Sequence, residues 1–249
     1  MNNTSSNHSL AQLIPALCRG DHQLLSEWLT LSPKKMFVRT IPCVVVGCAL
    51  YGFSMGLWRG AEMGTYVAIK LPLLLLCTLL VNGLINGLLA AVLDSGITMR
   101  QSLQFLMAGF ATMSIILGAL SPISLSLALH APAADADNAR DYHAFILLFH
   151  TAVVAYAGIL SHHTLRRFLL HFAKDKSAAN ITFFAWIGGN LFVGAQLSWI
   201  LRPFFGSPRL DVAFLREDPF RGTFYETVWN NILYFFSRYT TKNDDVTHL

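Results

Sequence analysis

The sequence predicts an all-α fold, a polytopic membrane bundle of about five transmembrane helices with amphipathic helices before and after it. Five apolar stretches approach or exceed the roughly 20 residues that a helix needs to cross a bilayer. The chain is 54% hydrophobic and only 13% charged, whereas about 25% of the residues of a soluble domain are charged. Within lipid every backbone amide needs a partner in its own segment, so these stretches predict helices.

The predicted architecture is one domain with three regions. Residues 1–36 form an amphipathic amino-terminal region, 37–201 the membrane bundle, and 202–249 a polar and aromatic tail. No polar segment reaches the ~100 to 150 residues of a usual soluble domain, so a second domain is not expected. The predicted spans cover residues 37–58, 71–93, 103–128, 145–160 and 181–201.

The amino-terminal region contains two short helical patterns. Apolar residues recur there at spacings of three and four, and Gly20 separates the two patterns. The predicted helices either lie on the cytoplasmic membrane surface or pack on the ends of the spans. Their apolar residues are Leu10, Leu13, Ile14, Leu17, Leu24, Leu25, Trp28 and Leu29.

Lysines and arginines are distributed unequally between the two sides of the predicted spans. Nine flank one side and three the other, and by the positive-inside rule the richer side is cytoplasmic. The sequence therefore predicts a multi-pass protein of the cell membrane with a cytoplasmic amino terminus and, after five spans, an outer tail. This topology explains the net charge of +4, so no nucleic-acid partner is expected. The nine are Arg19, Lys34, Lys35, Arg39, Arg100, Arg166, Arg167, Lys174 and Lys176, and the three are Arg59, Lys70 and Arg140.

Three residues bear on the ends of the predicted spans. Pro122 lacks the amide that the helical ladder requires, which predicts a kink or an end of the third helix nearby. Lys70 and Asp94 flank the second apolar stretch. Both side chains are expected to extend to the membrane interfaces, where their charges are hydrated.

Two series of glycines are spaced four residues apart, one at the end of the first span and beyond it, the other inside the second span. At this spacing small residues form a slanting row on which another helix packs closely. The partner helix belongs either to the same chain, which we favour, or to a second chain. The glycines are Gly52, Gly56, Gly60 and Gly64, and then Gly83 and Gly87.

Four amide side chains lie within the apolar stretches. Asn82, Asn86, Asn190 and Gln196 are expected to face the bundle interior and bond to neighbouring helices, because an unpaired polar group in lipid is costly. The alternative is a permeation pathway, to which His150 would also contribute. We favour interhelical hydrogen bonding.

The sequence contains no constellation typical of a catalytic, metal or cofactor site. His143 and His150 share one helix face, but no other span supplies the facing histidine that bis-imidazole haem ligation requires. The cysteines form no CxxC pattern, and motifs typical of hydrolases, metalloproteases and nucleotide-binding enzymes do not occur. The sequence therefore predicts no catalytic residue, no metal and no cofactor.

The tail contains a predicted amphipathic helix over residues 224–238. Thr223 and Glu226 form the spacing of a capping box, in which each side chain bonds to a backbone amide of the other residue. On a helical wheel, phenylalanine, tryptophan and aliphatic residues occupy one half and polar residues the other. Such a helix is too short to span a membrane and is suited to lie in its interface or across the bundle.

Four arginines precede or flank that helix, among prolines, glycines and phenylalanines. One interpretation is that they bind headgroup phosphate or the carboxylates of a protein partner. The other, which we favour, is that Arg216 and Arg221 hold the shape of a folded connector by pairing with its acidic residues. The arginines are Arg202, Arg209, Arg216 and Arg221, and the acidic residues Asp211, Glu217 and Asp218.

Part of the chain resembles a known family. The segment LDSGITMRQSL at 93–103, followed by the small-residue span at 110–120, resembles the second and third spans of the Yip-type five-span membrane proteins. The resemblance implies five spans with a cytoplasmic amino terminus. It also implies a place in a family that in eukaryotes is linked to vesicle trafficking and Rab partners, and it brings no catalytic motif.

These observations predict a non-enzymatic structural or organising subunit of a membrane complex. Its expected partners are membrane lipids and either another protein or a second copy of the chain. One alternative is a transporter or channel subunit for an ion or a small molecule. Another is a lipid-directed membrane enzyme that uses the tail arginines with Glu217 or Asp218.

Overall fold

A computed structural model describes residues 32–208 and 210–246, which contain helices and no strands. The predicted amino-terminal helices and Arg209 lie outside these residues. The helices are α1 (Pro33–Gly56), a short 3-10 helix (Leu57–Arg59), α2 (Ala61–Val92), α3 (Met99–Leu129), α4 (Ala139–Phe172), α5 (Lys176–Ile200) and α6 (Phe224–Val246).

The first five α-helices, α1 to α5, are each long and apolar enough to cross a membrane, which confirms the predicted fold class. Most of them extend past the apolar stretches that predict them. α2, for example, begins ten residues before position 71 and α4 ends twelve residues after position 160. Backbone hydrogen bonding continues a helix into polar sequence at the interfaces, where hydropathy no longer marks it.

The bundle has two ends, which we name for the segments that lie there. The tail end carries the 3-10 helix, residues 130–138 and the tail loop, which we define as residues 201–223. The opposite end carries residues 93–98 and 173–175. Asp94 is exposed at that end and accepts a hydrogen bond from Lys174. This contact lowers the pKa of Asp94.

α1 and α3 make the most extensive helix contact of the bundle. Gly47 lies at its centre, where a Cβ atom would collide with the backbone carbonyl of Ser114. A Cβ atom on Gly118 would lie 3.0 Å from the Cα atom of Gly47. The two backbones therefore approach as closely as glycine allows. Neither residue belongs to the glycine series singled out in the sequence.

The predicted glycine series is divided between two helices and a turn. A Cβ atom on Gly52 would lie 2.6 Å from the Val67 carbonyl oxygen, so the end of α1 packs closely on the start of α2. A Cβ atom on Gly56 would likewise lie 2.7 Å from the Met63 carbonyl oxygen of α2. Gly64 of α2 packs against Phe53 of α1. Gly60, with a φ of 100°, forms the turn between them. The prediction of one continuous row through all four glycines is therefore wrong, because the chain reverses direction at Gly60.

The second glycine pair lies on α2 against the start of α3. A Cβ atom on Gly83 would lie 3.1 Å from a Leu103 methyl carbon, and one on Gly87 would collide with the Met99 side chain. The contacts at Gly52 and Gly56 and those at Gly83 and Gly87 all join helices of the same chain.

Of the two alternatives predicted near Pro122, a kink or a helix end, the end is wrong, because α3 continues through this residue to Leu129. Proline removes one hydrogen bond of the ladder, and in a bundle nearby groups can satisfy the freed carbonyl. The hydroxyl of Ser121 donates to the carbonyl of Gly118 at 2.7 Å.

Candidate functional site

The tail loop folds back onto the bundle and completes its core at the tail end. Phe204, Phe205 and Val212 pack against a buried cluster that includes Tyr51 and Met55 of α1. Phenylalanine is large and apolar, so burying two of these rings attaches the loop firmly. The segment after the fifth span is thus part of the bundle and not a separate tail.

Lys70 is buried beneath this loop, contrary to the expectation that it reaches the interface. It lies nine residues inside α2, and its side chain is 0% exposed. The ammonium donates to the Pro203 carbonyl oxygen at 2.9 Å and lies 4.8 Å from the Phe214 ring centroid. No carboxylate of the described residues pairs with it. A carbonyl dipole and an aromatic face therefore stabilise this charge.

Arg202 holds the two ends of the tail loop together. Its guanidinium stacks on the Trp199 ring at 4.0 Å and donates to the carbonyl of Trp199 at 3.0 Å. It also donates to the carbonyl oxygens of Asp218, Pro219 and Arg221. Burial and the nearby positive charge of Arg216 lower the pKa of Arg202, and Asp218 partly opposes them.

Of the described arginines of the tail, Arg202 and Arg216 hold the connector by donating to backbone carbonyls, and the predicted ion pairs are absent among the described residues. Arg216 donates to the Asp211 carbonyl oxygen at 3.4 Å. Arg221 contributes its carbonyl, which accepts from the Trp199 indole at 2.9 Å. In the described residues the carboxylates of Glu217 and Asp218 are exposed and make no ion pair.

Arg59 fixes the outer part of the loop from the 3-10 helix. Its Nη2 atom donates to the Leu210 carbonyl oxygen at 3.1 Å, while its buried Nε atom has no partner among the described residues. Gly206 has a φ of 66° and lies against the Arg59 side chain. A side chain at this position would be strained in its backbone and would meet Arg59.

His150 lies beside the same loop. Its Nδ1 atom and the Tyr51 hydroxyl are 2.7 Å apart, and its ring stacks on Phe205 at 5.4 Å. His143, one of the other histidines considered, contacts Trp58. Among the described residues no group of three or more His, Cys, Asp or Glu side chains can hold a metal ion.

Replacing Tyr51 with phenylalanine is expected to destabilise the protein by about 1–3 kcal/mol, because it leaves a buried nitrogen of His150 unpaired. The measurement is the free energy of unfolding in detergent. Tyr156→Phe is the matched control, since Tyr156 is exposed on α4. Equal stability of both variants and the parent would show that the Tyr51–His150 bond contributes nothing.

A second polar cluster joins three helices nearer the opposite end. Asn86 of α2 donates to Asn190 of α5 at 3.0 Å, and the amide of Asn190 lies 3.2 Å from Nε2 of His162 on α4. The Trp186 indole donates to the Asn86 carbonyl at 2.9 Å. Asn82 is 0% exposed, and neither of its amide atoms has a partner in the described part of the chain.

The sequence predicts that the two asparagines of α2 bond to neighbouring helices, whereas it does not indicate a role for His162. Nothing in its local sequence indicates the contact, because the partner lies 28 residues away. His150 lies at the tail end, among the residues that pack beneath the tail loop. Among the described residues, His150 makes no hydrogen bond with Asn82, Asn86 or Asn190.

α6 begins where predicted and continues to Val246. The Thr223 hydroxyl accepts from the Glu226 amide at 3.2 Å, which is one half of the predicted capping box. Tyr225 donates to the Leu191 carbonyl of α5 at 3.2 Å, and Tyr234 donates to the Asp141 carboxylate of α4 at 2.8 Å. α6 therefore lies across these two helices.

The apolar half of α6 is divided by this packing. One row is partly buried on the bundle, while the neighbouring row is exposed. The partly buried residues are Phe224, Val228, Ile232 and Phe235, and the exposed residues are Tyr225, Trp229, Leu233 and Phe236. We call these four exposed residues the α6 stripe.

Comparison of this chain with protein-family models, curated proteins and solved structures finds no match. The resemblance to the Yip-type family therefore stays a prediction.

Proposed function

We propose that this multi-pass membrane protein is a non-enzymatic organising subunit of a membrane complex, and that the α6 stripe contacts another subunit. The observation that carries the proposal is a row of exposed aromatic and aliphatic side chains on a helix that the bundle holds in place. Trp229, at its centre, is 60% exposed. Large exposed aromatic residues on a fixed scaffold are typical of protein interfaces.

The composition of α6 favours a protein partner over lipid. Helices that lie on membranes usually carry many lysines and arginines along the polar face, whereas the sequence of α6 has two, Arg238 and Lys242, against the three acids Glu226, Asp244 and Asp245. Glu226, Asn230 and Ser237 are the exposed polar residues beside the stripe. An apolar row bordered mainly by uncharged polar residues resembles the core and rim of an interface.

The test uses a photoreactive phenylalanine analogue at position 229 of the full chain in native membranes. We expect one discrete protein adduct, identified by mass spectrometry, and its loss when Leu233 and Phe236 are replaced with serine. The matched control places the analogue at Asn230, which is exposed on the polar side. Adducts with lipid alone, together with a monomeric mass in nanodiscs, would contradict the proposal.

A second candidate function is the passage of a small polar solute, which the amide of Asn82 favours because it has no partner among the described residues. An unpaired buried amide is costly, and a pathway that holds water or a solute would satisfy it. Replacing Asn82 with leucine would then slow the swelling of proteoliposomes in glycerol or urea. A purely structural role predicts unchanged swelling and equal or greater stability.

A further inference from the structure

The opposite end of the bundle carries a strong excess of positive charge. Among the described residues, eight lysines and arginines lie on the helix ends and loops there, against two acids. Both acids are already bonded, since Asp94 accepts from Lys174 and Asp175 caps α5 by accepting from the Ala178 amide at 2.8 Å. Residues 1–31 contain one cation and two acids, so they do not cancel the excess. The eight cations are Lys34, Lys35, Arg39, Arg100, Arg166, Arg167, Lys174 and Lys176.

Two of these cations lie along the α4–α5 seam, which we define by Arg166 and His162 of α4 and Lys176 and Phe183 of α5. The rings of His162 and Phe183 contact each other with centroids 6.5 Å apart, which marks the faces that the two helices turn toward each other. Arg166 is one turn after His162, and Lys176 is two turns before Phe183, so each lies on the facing side of its helix. Both side chains are exposed.

The two cations are close enough to act on one ligand. Counted from the contact between His162 and Phe183, Arg166 is four residues and Lys176 seven residues nearer the opposite end, a difference in depth of about 4.5 Å. The axes of packed helices are about 8–10 Å apart. A long arginine side chain and a long lysine side chain therefore both reach an anion that lies between them.

Apolar surface lies on the membrane side of these cations and indicates the kind of anion. Ile159, two turns deeper than Arg166 on α4, is 62% exposed, and Phe184, just over two turns deeper than Lys176 on α5, is 68% exposed. α4 and α5 are also the two least buried of the candidate membrane spans. Cations that border exposed apolar side chains match the phosphate and the acyl chains of a phospholipid, whereas the carboxylates of a protein partner need no such apolar surface.

We propose that an anionic phospholipid binds at the α4–α5 seam, with its phosphate between Arg166 and Lys176. The planar guanidinium binds phosphate oxygens in pairs, and the ammonium contributes a compact charge. Ile159 and Phe184 contact the acyl chains. The other cations of the opposite end raise the local concentration of anionic lipid. The α6 stripe lies at the tail end, so this site does not depend on the proposed function.

The experiment measures the binding of phosphatidylglycerol and of phosphatidylcholine to the purified full chain in detergent by native mass spectrometry. We expect the parent to prefer phosphatidylglycerol. Arg166→Gln and Lys176→Gln should each weaken its binding about fivefold, and the double variant about thirtyfold, which is the usual contribution of one and of two cations near a lipid surface. Arg166→Lys keeps the charge without the paired donors and should lose less affinity than Arg166→Gln.

The matched control is the double variant Arg140→Gln/Arg221→Gln, which removes two exposed arginines at the tail end and should leave the affinity unchanged. The thermal unfolding midpoint without added lipid verifies that the variants are folded. Equal binding of both lipids by the parent, or the same loss of affinity in the two double variants, would overturn the proposal. Displacement of phosphatidylglycerol by millimolar inorganic phosphate would identify a soluble anion as the ligand and overturn the lipid assignment.

Discussion

Replacing Gly47 with alanine is expected to destabilise the bundle by about 3 kcal/mol, the upper part of the range for overpacking a closely packed core. The added methyl group would lie 2.2 Å from the Ser114 carbonyl oxygen, which belongs to the backbone of α3 and cannot rotate away. α1 and α3 would have to separate, and the contacts around Gly118 would be lost with them. The measurement is the free energy of unfolding in mixed micelles.

Gly194→Ala is the matched control for this variant. Gly194 lies in α5, and a Cβ atom there meets nothing within 4 Å. Alanine is a better helix former than glycine by about 1 kcal/mol, so this variant should be as stable as the parent or slightly more stable. A Gly47→Ala variant as stable as Gly194→Ala would show that the two helices do not approach as closely as described.

Replacing Lys70 with glutamate is expected to cost about 3–5 kcal/mol, which is typical when a buried charge is left without its partner. The carboxylate would face the Pro203 carbonyl oxygen and the Phe214 ring, and both repel a negative charge. We expect the tail loop to detach from the bundle. Cleavage by trypsin within residues 201–223 should then become much faster than in the parent.

Two further variants separate the effect of charge from that of packing. Lys70→Met keeps most of the side-chain volume without a charge and should be destabilised less than Lys70→Glu. Lys176→Glu introduces the same change at an exposed position at the start of α5, and there we expect little effect. Equal trypsin sensitivity of the parent and Lys70→Glu would mean that Lys70 does not hold the loop.

The five spans and the start of α6 could be predicted because each depends on local sequence. The length of each apolar stretch determines the spans, and the Thr223 hydroxyl that caps the helix determines the start of α6. The burial of Lys70 could not be predicted, because the carbonyl that satisfies it lies 133 residues away. Local hydropathy places a lysine near the end of an apolar stretch at the interface and contains no information about a loop that covers it.

The closest helix contact was missed for a related reason. Gly47 and Gly118 belong to different helices and neither repeats at a spacing of four within its own helix, so no motif distinguishes them. The amides of Asn86 and Asn190 indicated polar contacts inside the bundle, but not that they would bond to each other. Pairing between distant helices depends on the register of the whole bundle, which periodicity within one helix does not determine.

The bond between Lys70 and Pro203 has a consequence for the order of biosynthesis. A ribosome completes α2 more than a hundred residues before it reaches Pro203, so α2 enters the bilayer with a lysine that has no partner. Lys70 lies only nine residues inside α2, so before the loop is made its ammonium can extend to the interface, at a lower cost than the about 3 kcal/mol of a lysine at the centre of a membrane helix. The tail loop therefore covers Lys70 only after all five spans have been made, and a chain that ends before residue 203 would lack the carbonyl that accepts from its ammonium.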